Sequence, residues 1–238
     1  MPVLKATDLG KRYGDIVALD GLNLAVEAGQ VVCLLGANGA GKTTTLNLFL
    51  GFLQPTAGEA RVAGRIVHDD PAGARAVLGY LPEVVQLYPL LSGIETLRYF
   101  NDLSGQPVLL PADATAALQR VGLPQAAHAS RVGTYSKGMR QKLGLAVALA
   151  KGAQALLLDE PLSGLDPKAA NELVALVRSL AADGTAVLVV THDIFRAQQM
   201  ADRIGIMRLG QLSELLDAAT IDARGLEDLY IHHLRDVA

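Results

Sequence analysis

Residues 36–44 constrain this chain more than any other stretch. Gly36, Ala37, Asn38, Gly39, Ala40, Gly41, Lys42, Thr43 and Thr44 satisfy the pattern G-x-x-x-x-G-K-[ST]. The apolar run Val31-Val32-Cys33-Leu34-Leu35 precedes it and reads as a buried strand, and residues 44–50 suit the first turns of a helix. Glycines in a strand-to-helix loop let several backbone N–H groups converge on one anion, assisted by the helix dipole. Lys42 can then reach the β- and γ-phosphates, and the Thr43 hydroxyl can ligate Mg²⁺. The expected ligand is a nucleoside triphosphate.

Composition narrows where such a site operates. Half of the 238 residues are hydrophobic, yet no apolar run approaches the roughly 20 residues of a membrane helix. Met1-Pro2-Val3-Leu4-Lys5 carries no apolar signal region. A net charge of −3 with no basic stripe argues against nucleic acid as the main partner. The single cysteine, Cys33, reads as a small buried hydrophobe, and the lack of a possible internal disulfide fits a cytoplasmic setting.

Taken in order, residues 3–35 run apolar between Tyr13-Gly14-Asp15, Leu19-Asp20-Gly21 and Ala28-Gly29, which predicts three short antiparallel strands leading into the loop. Tyr13 stands out in a chain with 4% aromatics. Exposed there, it can stack on a base, a contact worth about 1–3 kcal/mol. Residues 59–67 predict a strand pair around Gly64, and residues 77–81 a further strand ending at Pro82-Glu83. Ser92-Gly93-Ile94-Glu95 has the form of a capping box opening a helix through Leu103. An Ala-rich helix follows over residues 114–121, stopped by Gly122. Residues 84–150 thus read as a helical subdomain inserted in an α/β core formed by 1–83 and 151–210, with 211–238 as a helical tail.

Strand character returns at residues 155–158, ending in Asp159-Glu160-Pro161, and at residues 186–190, ending in Thr191-His192-Asp193. Between them Asp166-Pro167 starts a helix with Asp166 as N-cap. Strands alternating with helices imply a mostly parallel, covered sheet, whose ligands bind off the carboxyl ends of the strands. Gly36, Asp159 and His192 each follow an apolar run, so all three are expected on that edge. There Asp159 can hold Mg²⁺ and Glu160 can orient or deprotonate the water that attacks the γ-phosphate. His192 can sense the γ-phosphate. A second anion site is predicted where Ser136-Lys137-Gly138 opens an apolar helix. One phosphate loop and two phosphate sites point to nucleotide shared across a two-fold homodimer.

This ordered set resembles the nucleotide-binding subunit of ABC transporters over essentially the whole chain. The resemblance implies a P-loop NTPase fold with an N-terminal antiparallel β piece and a helical subdomain. It also implies ATP hydrolysis with Mg²⁺, a homodimer around two ATP, and an integral membrane permease as partner on the cytoplasmic face of the membrane. Tyr13 matches the adenine-stacking aromatic, residues 36–43 the phosphate loop, and Ser136-Lys137-Gly138-Met139 the signature segment. Asp159 and Glu160 match the magnesium and base positions, Ser163-Gly164-Leu165-Asp166 the dimer-contacting loop, and His192 the switch histidine.

Two positions depart from the family's pattern. The signature is usually Leu-Ser-Gly-Gly-Gln and here reads Tyr-Ser-Lys-Gly-Met. Glu83 occupies the place of a usual glutamine that contacts the metal, and a carboxylate cannot donate to phosphate oxygens. Gly-Tyr-Leu-Pro-Glu and Tyr-Ser-Lys-Gly-Met resemble the exporter branch that includes drug-resistance ATPases. Residues 87–98 and 226–230 resemble the NosF-type copper-processing ATPases of nitrous-oxide reductase maturation, which implies a periplasmic maturation protein beyond the permease. Nothing in the chain itself marks a copper site, since its five histidines are scattered. Two other classes use the same loop: non-transport ABC proteins, and small-molecule kinases, which leave residues 135–141 unexplained.

Overall fold

The structure, a computed structural model, describes residues 1–235, and the apolar runs of the sequence separate into two sheets. Strands β1 (Leu4–Tyr13) and β2 (Ile16–Val26) form a hairpin across Gly14-Asp15, in which Tyr13 pairs with Ile16. Strands β4 (Ala57–Val62) and β5 (Arg65–Ile66) complete an antiparallel sheet of order β2-β1-β4-β5.

The second sheet has the order β10-β9-β3-β8-β7-β6. Its members are β3 (Val31–Leu35), β6 (Leu78–Leu81), β7 (Ala155–Asp159), β8 (Ala186–Thr191), β9 (Arg203–Arg208) and β10 (Gln211–Asp217). All neighbours are parallel except β10, which runs antiparallel to β9. A sheet covered on both faces explains why β3, β7 and β8 are almost wholly apolar. In β3, Cys33 and Leu35 face one core cluster while Val32 and Leu34 face the other.

Eight α-helices are present among the described residues: α1 (Lys42–Phe49), α2 (Pro71–Ala76), α3 (Gly93–Leu103), α4 (Pro111–Arg120), α5 (Lys137–Ala150), α6 (Pro167–Ala182), α7 (Ile194–Met200) and α8 (Ala223–Arg235). The cluster containing Cys33 takes Leu97 of α3, Leu118 of α4, Leu143 of α5, Leu173 of α6 and Leu226 of α8. The opposite cluster takes Phe49 of α1 and the antiparallel sheet. The fold is therefore three layers, with the phosphate loop emerging from the central strand of the middle one.

Several boundaries correct the sequence reading. Asp20-Gly21 is not a turn: β2 runs through it, and pairing passes from Leu9↔Leu22 to Lys11↔Leu19, so β2 carries one extra residue as a bulge. Strand β3 does not extend the antiparallel piece but lies between β8 and β9 in the other sheet. Helix α4 starts at Pro111 rather than residue 114, with proline at a position where no N–H is needed. The expected helical tail begins with a strand, because Leu209 (φ 47) and Gly210 (φ 83) form a two-residue hairpin that folds β10 back onto β9. Only residues 223–235 of that tail are α-helical, and residues 236–238 lie outside the described residues.

Candidate active site

The phosphate loop owes its shape to contacts that leave no room for side chains. A Cβ on Gly36 would stand 2.7 Å from the Met207 carbonyl oxygen and 2.8 Å from Ala40 Cβ. Gly41 holds φ 102, and a Cβ there would meet the Ala18 carbonyl oxygen at 2.8 Å. The loop and β2 together wall a cleft of about 480 Å³, lined by Val17, Ala18, Asn38, Lys42, Thr43 and Thr44 among others. Lys42 is buried, and its ammonium donates to the carbonyl of Gly36 and, at 3.1 Å, to that of Ala37. Burial pushes its pKa down, against the opposing pull of Glu160 and Asp159.

The acidic pair ends β7, one strand away from β3 across β8. Asp159 has its pKa pushed up by burial first, and then by the charges of Glu160 and Glu83, while Lys42 and the Tyr80 hydroxyl oppose the rise. Glu160 takes a positive φ of 44, and its amide donates to the Val190 carbonyl at 2.9 Å. That bend carries its side chain toward the end of β8. Thr191 Oγ1 donates to Glu160 Oε2 at 2.9 Å, and His192 Nδ1 lies 2.7 Å from Glu160 Oε1. Each carboxylate oxygen retains a second lone pair for a further donor.

Ser136 caps α5 by accepting from the Met139 amide at 3.2 Å, and Asp166 caps α6 by accepting from the Ala169 amide at 3.0 Å. The two helix starts abut, for a Cβ on Gly138 would stand 3.2 Å from Ala169 Cβ. Tyr135, beside the signature, is buried and donates its hydroxyl to the Ala127 carbonyl at 2.6 Å. Glu83 Oε1 accepts from Ser163 Oγ at 3.4 Å.

The ABC transporter family model matches residues 19–163. The ABC transporter ATP-binding protein YxlF of Bacillus subtilis (strain 168) is 38% identical over 89% of this chain and 70% of its own length. The chain belongs to the ABC transporter family. It is an ATP-binding ABC ATPase with the P-loop NTPase fold. The Nod factor export ATP-binding protein I of Burkholderia orbicola (strain AU 1054) is 36% identical over 84% of this ATPase and 66% of its own length. A solved dimeric ATP-binding cassette in a post-hydrolysis state, bound to ADP and Pi, superposes with a TM-score of 0.79 at 26% identity, covering 90% of this chain and 98% of its own.

Within this ABC ATPase, the sheet brings Gly36, Asp159 and His192 to one edge as the sequence predicts: Leu35 pairs with Thr191, and Asp159 with Val190. Tyr13 does not line the phosphate-loop cleft; it is half-exposed, with the Lys11 ammonium 5.2 Å from its ring centre. Ser136, Lys137 and Gly138 do not line that cleft either. Glu83 turns to Ser163. Among the described residues no three His, Cys, Asp or Glu side chains gather to hold a metal by themselves, so Glu83 and Asp159 form no ready-made protein cage. Sequence reasoning missed Val17 and Ala18 as cleft wall, and Thr191 and Tyr80 as partners of the acidic pair. Thr191 was detectable as the hydroxyl preceding His192, whereas nothing in the sequence ties Tyr80 to Asp159.

Proposed function

We infer that this ABC ATPase hydrolyses ATP as a two-fold homodimer and drives a separate integral membrane permease, in the exporter branch of its family. The observation that carries the reading is a divided site. The phosphate loop, Asp159, Glu160 and His192 share one sheet edge, while Ser136, Lys137 and Gly138 open a helix outside the loop's cleft. A second copy related by a two-fold axis supplies that helix start to the facing loop, giving two equivalent sites. The dimeric cassette with a similar fold supports this arrangement, and the Nod factor export relative supports the direction.

In this reading the amides of residues 36–44 and Lys42 bind the β- and γ-phosphates, which take over the ammonium from the Gly36 and Ala37 carbonyls. Tyr13 stacks on the adenine from beyond Ile16 at the cleft mouth. Glu160 orients a water whose oxygen attacks the γ-phosphorus; the water's proton passes to the carboxylate as ADP leaves. Thr191 and His192 hold Glu160 in place, and His192 senses the γ-phosphate through that contact. Ser136, Lys137 and Gly138, with Asp166 nearby, close the site from the second copy.

The negative charge that Glu160 and Glu83 add around Asp159, together with the exposed Thr43 hydroxyl, suits a divalent cation whose remaining ligands come from phosphate and water. Thr43 and Asp159 would hold Mg²⁺, with Glu83 reaching it through water. When bound, the ion neutralises phosphate charge.

Among the described residues no helix is long and apolar enough to cross a membrane, and in this reading a separate permease carries the cargo path. The helical subdomain offers a surface for it. Tyr88, Pro89, Leu90, Leu91 and Tyr99 line an apolar groove, with Leu90 74% exposed. That groove fits a short apolar permease segment at the cytoplasmic face of the inner membrane. Co-purification with a multi-span membrane protein from detergent extract supports the reading; association with ribosomes or DNA instead overturns it.

The NosF-type reading is a finer version of the same proposal, supported by residues 87–98 and 226–230. In it the copper-related cargo and the periplasmic maturation protein are met by the permease, since no metal-holding cluster forms among the described residues. The drug-exporter reading differs only in cargo. Neighbouring reading frames decide between them: a copper-site maturation gene beside the permease favours the first.

A further inference from the structure

Two side chains of opposite charge end on the loop 163–166 from different directions. Glu83 Oε1 accepts from Ser163 Oγ at 3.4 Å. The Lys137 ammonium lies 3.3 Å from where a Cβ on Gly164 would stand, so the space beside this left-handed residue (φ 63) is filled by the lysine. The same helix start adds a third tie, because Gln141, buried in α5, donates to the Glu83 carbonyl at 3.5 Å. Residues 163–165 of this loop in turn form one wall of a cleft of about 280 Å³ whose other wall carries Glu160, Thr191 and His192. A chain of contacts thus runs from the helical subdomain to the side chains that orient water.

We propose that Glu83 and Lys137 are positioning residues that together fix loop 163–166, and with it the wall facing Glu160 and His192. The proposal deepens the divided-site reading and rests on it. The carboxylate accepts from the Ser163 hydroxyl and the lysine side chain packs beside Gly164, so losing either leaves the loop freer to move. A carboxylate at 83 and a lysine at 137 accordingly act as a matched set.

Because Lys137 also belongs to the nucleotide-facing segment, the deciding measurement is made without nucleotide. In the full chain the amides of Ser163 and Leu165 donate to the Glu160 and Leu162 carbonyls at 3.1 and 3.2 Å. Hydrogen exchange at those two amides is expected to rise about threefold or more in Glu83→Ala and in Lys137→Ala, with less change in Glu83→Gln, which keeps an acceptor. The double variant is expected to rise by less than the product of the two single effects. Amides of β3 are the internal control; if they loosen too, Ser163→Ala, which removes only the donor, is measured for exchange at Leu165 instead. Exchange unchanged in both single variants, a strictly multiplicative double, or an unaltered Leu165 amide in Ser163→Ala overturns the proposal. Failure of the dimer reading shows separately, as a Glu160→Gln chain that stays monomeric with ATP in sedimentation.

Discussion

His192 Nδ1 and Glu160 Oε1 are 2.7 Å apart, with the histidine largely exposed and the glutamate side chain only 13% exposed. A carboxylate oxygen can only accept, so Nδ1 carries the proton in this contact. The pair joins the ends of two neighbouring parallel strands, so its geometry depends on the sheet rather than on either loop. Glu160→Gln is expected to lower kcat for phosphate release about 10²–10⁴-fold, the range for a lost general base, while ATP still binds. Unchanged turnover would remove Glu160 from that role. His192→Ala should act in the same direction with a smaller effect, since Thr191 still holds one oxygen.

Lys42 is internally satisfied, bonded to the Gly36 and Ala37 carbonyls. Nucleotide binding therefore exchanges these contacts for phosphate oxygens rather than recruiting an idle charge. Lys42→Met is expected to weaken ATP binding about tenfold or more, the loss of a charge-assisted contact, with the melting temperature of the nucleotide-free chain changing little. Equilibrium dialysis with ATP and a thermal melt check the two halves.

Gly93 and Tyr135 share one space. A Cβ on Gly93 would stand 2.5 Å from the Tyr135 hydroxyl, which is itself bonded to the Ala127 carbonyl at 2.6 Å. Gly93→Ala is expected to destabilise the chain by about 1–3 kcal/mol through overpacking. Tyr135→Phe should cost about 0.5–1.5 kcal/mol for the lost hydrogen bond. The double variant should be more stable than the sum of the two predicts, and an additive double in urea melts would contradict the shared space.

The box that opens α3 contains a carboxylate, Glu95. Ser92 N donates to Glu95 Oε2 at 2.7 Å, and the Glu95 amide donates to Ser92 Oγ at 3.2 Å. The bond from the Ser92 backbone, followed by that from its side chain, holds the Glu95 pKa below its usual value of 4.5. A carboxylate with a depressed folded pKa stabilises above the unfolded value and loses that contribution as pH falls through the folded one. Glu95→Ala should therefore destabilise at pH 7, with the difference from wild type shrinking below pH 4.5. Ser92→Ala should cost about 0.5–2 kcal/mol as a lost N-cap. Denaturant melts across pH test both.

Most of the candidate site was legible because its residues directly follow apolar strand runs: Gly36 after β3, Asp159-Glu160 at the end of β7, His192 after β8. A parallel sheet must place such strand ends together, whatever the intervening chain does. The caps at Ser92 and Asp166 were legible for a local reason, since each bonds an amide only three residues ahead. Strand β10 was hidden by a hairpin whose first turn residue is Leu209, a poor sequence signal for a left-handed conformation.

The sequence by itself determined the phosphate loop, the strand ends and the helix starts, because these depend on neighbours within a few positions or on a periodic apolar pattern. Only the tertiary structure decided that β3 leaves the antiparallel piece for the centre of the other sheet, that Glu83 turns to Ser163, and that His192 docks on Glu160. Those outcomes rest on partners 80 and 32 positions away in the chain, or on the other strand of a sheet, brought within hydrogen-bond reach by burial of the apolar faces between them. Local sequence carries no record of such distances; packing of the two cores sets them.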